Sequence, residues 1–181
     1  MTARDRPASA VPGWWPALAG LVVGLAYAGI SVYWGAGGTW LLDTVGRSLT
    51  AGGAVASAAA WAAAGLKIVA AVLPLLAVYP FNSGGSAGPA RGRPAAGLAP
   101  LRRPLRFLAW AEAAILTLYG LIWTAGGLLV ESGLIRADAG ADRRAMAGHT
   151  FLWDPWFLVW GLLVTAALVR SRDPGRGFSR R

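Results

Sequence analysis

Apolar residues gather in four long runs, at about 16–34 (PALAGLVVGLAYAGISVYW), 54–79, 107–130 and 152–170. The last has its apolar centre at Pro155–Val169, and Leu152 and Trp153 extend it. At 1.5 Å per residue, such runs cross a hydrocarbon layer of ~30 Å or come close to it. Lipid cannot hydrogen-bond an exposed backbone, so each run is predicted to be a helix. The ten-residue alternation that would signal a β-barrel is missing. The expected fold is all-α: an integral membrane four-helix bundle at 16–170. Flexible segments are expected at 1–15, 82–105 and 171–181, where Gly, Pro, Ala and Arg leave little to bury. Between the first two runs, Trp40, Leu41, Val45 and Leu49 fall at helical spacing, which predicts a short interfacial helix in that loop.

Composition supports the membrane reading. The 181 residues are 56 % hydrophobic and 14 % charged, with mean hydropathy +0.50, whereas soluble domains run roughly 45–50 % and about 25 %. The absence of cysteine removes disulfides, thiolate metal sites and cysteine nucleophiles. A single histidine leaves no multi-histidine metal site within one chain. No phosphate-cradling loop, Ser/His/Asp arrangement or HExxH motif is present, and no cofactor is expected.

A net charge of +9 raises the question of nucleic acid, but the arginines are placed as topology signals. The N-terminal segment, the 82–106 connection and the C-terminal tail carry 12 arginines, against 4 in the two other loops. The positive-inside rule then puts both termini and the 82–106 connection in the cytoplasm. Ala26-Tyr27-Ala28 resembles a signal-peptide cleavage site, but apolar residues continue to Trp34, so an uncleaved span is expected. The partners implied are membrane lipids and another membrane protein or a second copy, with no nucleic acid.

Seven of the ten tryptophans (Trp34, Trp40, Trp61, Trp123, Trp153, Trp156 and Trp160) fall toward the outer ends of the runs. They fit an aromatic belt or an aromatic-lined mouth for an apolar ligand. In the second case Trp40, Asp43, Arg47, His149, Trp153 and Asp154 would line the mouth, with Arg47 meeting an anionic headgroup. Asp154 is placed to cap the last helix, with Pro155 at its first position, and His149 to contact Asp43 or Asp154.

Three segments resemble a family of small bacterial four-span membrane proteins known only as a domain of unknown function. They are VYWGAGGTWLLDTVGRSL (Val32–Leu49), LTLYGLIWTAGGLLVESGLI (Leu116–Ile135) and GHTFLWDPWFLVWGLL (Gly148–Leu163). The resemblance runs from Ala17 to Val169. It implies a four-helix membrane protein and carries no activity with it.

Two charges fall inside the runs. Lys67, the only lysine, sits near the middle of the second on a face shared with Ala60, Ala63, Ala64, Ala70, Ala71 and Pro74. A charge at that depth costs roughly 2.5–3.5 kcal/mol on insertion scales, so it should point into the bundle. Glu112 in the third run is the expected partner, with Tyr119 seven residues on, giving a buried Lys67–Glu112–Tyr119 cluster. That cluster reads as structural glue, as snorkelling residues that never meet, or as a proton- or ligand-handling site. In the first run Gly20 and Gly24 form a GxxxG step, a face for close packing inside the bundle. Three functions follow. The leading one is a non-catalytic membrane protein acting through helix packing or partner binding. The second is a lipid- or isoprenoid-handling enzyme or carrier, and the third a small proton-linked transporter using the Lys–Glu pair.

Overall fold

The computed structural model describes residues 13–46, 53–78, 101–136 and 140–171. Arg47 and most of the three segments expected to be flexible lie outside them. The described residues form helices α1 (Trp14–Gly35), α2 (Gly53–Val78), α3 (Arg102–Glu131), α4 (Arg143–Gly148) and α5 (Asp154–Arg170), and no strand. A π turn, His149–Trp153, joins α4 to α5, so the chain is helical from Arg143 to Arg170. Four helices are thus long and apolar enough to cross a membrane.

The helices run past the apolar stretches at two places. Trp14 and Trp15 already belong to α1, and Arg102–Leu105, expected in the flexible connection, form the first turn of α3. That start puts Pro104 in a first turn, where its missing N–H has no intrahelical acceptor to lose. In the loop after α1 the short helix is one 3₁₀ turn, Leu42–Thr44. Leu41 before it takes a left-handed φ of 60°, so Trp40 and Val45 do not share one continuous helical face.

Apolar burial gives little drive for association between helices in lipid, and close packing takes its place. Buried residues on α1 recur at three- and four-residue steps: Ala17, Gly20, Gly24, Tyr27, Ser31, Gly35. A Cβ on Gly24 would lie 2.6 Å from the Trp160 ring and 2.7 Å from Ala71 Cβ. Glycine there lets α1, α2 and α5 converge. On the other flank a Cβ on Gly161 would lie 2.5 Å from the Thr117 nitrogen, and one on Gly120 would run into the Leu158 backbone. Helices α3 and α5 therefore touch main chain to main chain. The strongest pairings are α1 with α2 and α3 with α5, and α1 against α5 joins the two pairs. Trp153, Trp160, Val164 and Leu168 of the last helical stretch form the centre of the core.

These contacts also set levels across the bundle. Gly24, Ala71 and Trp160 meet at one height, and Gly161 ties Thr117 to it. Residues 36–46, 132–136 and 140–150 lie at one end, here the cap side; Arg102, Arg106 and Arg170 mark the opposite, arginine side.

Candidate functional site

The cap side is organised by the π turn, and Pro155 gives the reason for it. A proline inside a helix lacks its N–H and crowds the carbonyl four residues back, here that of Phe151. Widening the preceding turn relieves both problems. This placement overturns the expected capping role of Asp154. Its backbone is already helical (φ −75°, ψ −41°), so no helix starts there, and its carboxylate is 97 % buried instead. The cap belongs to Asp142, whose side chain accepts from the backbone N–H groups of Arg144 and Ala145 at the start of α4.

Released from capping, Asp154 holds His149: Nδ1 lies 3.2 Å from Asp154 Oδ1, and Nε2 lies 3.3 Å from the carbonyl of Val45. Both neighbours are acceptors, so both contacts are hydrogen bonds together when each ring nitrogen carries a proton. Trp153 makes the second tie to the same loop. Its indole N–H donates to the Thr44 carbonyl at 3.2 Å and to Thr44 Oγ1 at 3.0 Å. Gly148 lets the loop come this close, since a Cβ there would lie 2.6 Å from Thr44 Cβ. The 3₁₀ turn is thereby buckled onto the π turn.

Beneath it lies an aromatic stack. Tyr27 stacks on Trp153 with centroids 5.5 Å apart and an interplanar angle of 14°. Phe157 meets Tyr27 edge-on at 5.0 Å, and Trp34 meets Trp153 edge-on at 5.4 Å. Trp156 donates its indole N–H to the carbonyl of Val23 at 3.1 Å. Lys67 closes the stack from α2: Nζ donates to Ser31 Oγ at 2.7 Å and sits 4.0 Å from the Tyr27 ring centroid.

The expected Lys67–Glu112–Tyr119 cluster therefore does not form. From the shared level of Ala71 and Thr117, Lys67 lies four residues toward the cap and Glu112 five residues toward the arginine side. At 1.5 Å per residue this separates them by about 13 Å in depth. Lys67 satisfies itself against α1 instead, and neither carboxylate oxygen of Glu112 has a hydrogen-bond partner among the described residues. Tyr119 packs against Phe157 and Trp123, on the other side of the stack.

Between the cap-side half of α3 and the α4–π segment lies a cavity of about 630 Å³. Tyr119, Trp123, Gly126, Val130 and Met146 give it a mostly apolar wall, and His149 and Asp154 place polar atoms on one side. Only two of the six residues expected at an outer mouth line it. Trp153 is buried behind the wall. Asp43 points away and pairs with Arg144 at 2.6 Å, both half or more exposed. Trp40 is exposed and joins the loop through its backbone, the carbonyl accepting from Trp34 Nε1 at 2.9 Å. Arg47 lies outside the described residues. Among those residues no three His, Asp or Glu side chains come together as metal ligands.

Sequence reasoning missed Tyr27, Ser31 and Thr44. The first two were open to it, because Gly20, Gly24, Tyr27 and Ser31 continue one helical face at steps of four, three and four. Thr44 carried no such signal, since its role depends on a loop folding back over the bundle.

No curated protein and no solved structure matches the chain. Residues 23–164, from mid-α1 to the middle of α5, match the family described as "Protein of unknown function (DUF3995)". That segment contains the buckle, the aromatic stack, Lys67 and the cavity. The chain is a member of this family, and the four-span architecture inferred from its apolar runs is the frame in which the family's shared segment sits.

Proposed function

We propose that this protein is a non-catalytic component of the bacterial cell membrane that binds one lipid-like amphiphile in the cavity beside α3. The observation that carries the reading is the cavity: about 630 Å³, apolar over most of its wall, with His149 and Asp154 at one side. Such a site takes an acyl or isoprenoid chain along Trp123, Gly126 and Val130 and turns a polar group toward the buckle. The same histidine supports the non-catalytic reading, since both of its ring nitrogens face protein acceptors, Asp154 Oδ1 and the Val45 carbonyl. A Lys–Glu proton couple is not proposed, because the two side chains sit at different depths. The arginine distribution supports an orientation with both termini in the cytoplasm and the cavity toward the outer face.

Gly126 supplies the test. It lines the cavity, and a Cβ there meets nothing within 4 Å, so Gly126→Leu puts side-chain bulk into the cavity from a helical position. Native mass spectrometry in mild detergent is expected to find co-purifying lipid on the wild type and none on the folded variant. Equal retention by both would overturn the proposal.

A further inference from the structure

Glu112 stands apart from the amphiphile site. It lies on α3 toward the arginine side of the Thr117 level, next to the buried residues Ala109, Ala113 and Leu116. Both of its carboxylate oxygens are shut off from solvent, and neither has a hydrogen-bond donor among the described residues. Thr117 Oγ1, Thr124 Oγ1 and Trp160 Nε1 share that condition at levels nearer the cap, but none of them carries an ionisable group.

Among the described residues, the charges of the neighbouring elements do not reach it. Lys67 of α2 is about 13 Å away in depth and is committed to Ser31 and the Tyr27 ring. On α5, Asp154 and Arg170 occupy the two ends, and Val164 and Thr165, level with Glu112, carry no charge. The Thr165 hydroxyl is spent on the Gly161 carbonyl at 2.8 Å. On α3 itself, Arg106 is six residues away and directs its guanidinium to Ser171 Oγ at 3.0 Å and the Leu168 carbonyl at 3.3 Å. Tyr119 is two turns toward the cap, against Phe157.

A carboxylate shut off from solvent, with no counter-ion or donor among the described residues, is less stable in a membrane interior than the neutral acid. We propose that Glu112 is a proton-binding site inside the membrane, on the arginine side of the bundle. Its ligand is the proton alone. The site is independent of the cavity, which is bounded by the cap-side half of α3.

The chain has only two glutamates, Glu112 and the exposed Glu131, so selective labelling resolves the question in the intact protein. Carboxyl-¹³C glutamate is incorporated, the protein is placed in liposomes, and the two carboxyl resonances are followed by solid-state NMR against pH. At neutral pH one resonance is expected at the position of a protonated acid. The exposed Glu131→Gln variant is expected to leave that resonance in place, which assigns it to Glu112. Two ionised resonances at neutral pH, or loss of the protonated one in Glu131→Gln, would overturn the proposal.

Discussion

Divided at the level where Gly24, Ala71, Trp160 and Thr117 meet, the bundle has two halves held together by different means. The cap-side half is polar and aromatic. Lys67 is tied to Ser31, Trp156 to Val23, Trp153 to Thr44 and His149 to Asp154, around a stack of rings. The arginine-side half is packed from Ala17, Ala109, Ala113, Val164, Ala167 and Leu168. Its polar ties lie at its far end, where Arg106 reaches Ser171 and the Leu168 carbonyl, while Glu112 has no hydrogen-bond partner among the described residues. The contrast teaches that intramembrane polar groups here are not one system. Where side chains tie helix to helix, the chain also leaves a cavity; where packing is tight, one acid has no such tie.

Five predictions sharpen that contrast, and the largest effect belongs to the cap side. Trp153→Ala removes a buried ring and both bonds to Thr44, for an expected loss of about 3–5 kcal/mol. Thermal unfolding in detergent, followed by near-ultraviolet circular dichroism, checks it. At the waist between the halves, Gly24→Ala forces α1 away from Trp160 and Ala71, and about 1–3 kcal/mol is expected by the same measurement. A partnered and an unpartnered ionisable side chain come next. Lys67→Met is expected to cost about 1 kcal/mol through Ser31 and Tyr27, and Glu112→Gln less than ~0.5 kcal/mol, since an amide replaces an acid that has no bond to lose. Equal losses from the two would erase the distinction between the halves.

The adjacent glycines of α3 give a finer comparison. Gly126 faces open cavity, whereas a Cβ on Gly127 would collide with the Thr150 side chain. Gly126→Ala is expected to stabilise by roughly 0.5–1 kcal/mol through helix propensity, and Gly127→Ala to destabilise despite the same propensity gain. Smallest of all is Arg144→Ala, which breaks an exposed pair with Asp43. Less than about 1 kcal/mol is expected, shrinking further as salt is raised.

The spans were legible because hydrocarbon imposes one solution on a long apolar run, and Gly20 and Gly24 announced the face on which α1 packs. The partner of Lys67 was not legible. Depth counted from each helix's own end carries an uncertainty of a turn or more, and only the interhelical register fixed by Gly24 and Gly161 places Lys67 opposite Ser31 rather than Glu112. The misreading of Asp154 had a local cause. Asp-Pro is a strong start signal, yet the helix begins at Arg143, and a π turn absorbs the proline that would otherwise mark its beginning. His149–Asp154 was within reach as a contact five residues apart, but its anchoring to Val45 was not, since nothing in a sequence shows which loop folds over which turn.

The pairing of α1 with α2 and of α3 with α5 has a consequence for biogenesis. Each pair is contiguous in the chain, so a ribosome delivers two hairpins in succession, and each can find its main interface before the other exists. The seam of α1 against α5, with Gly24 receiving Trp160, is then the docking step that completes the protein. Two separately synthesised polypeptides, parted between Val78 and Leu101, should reunite across that seam.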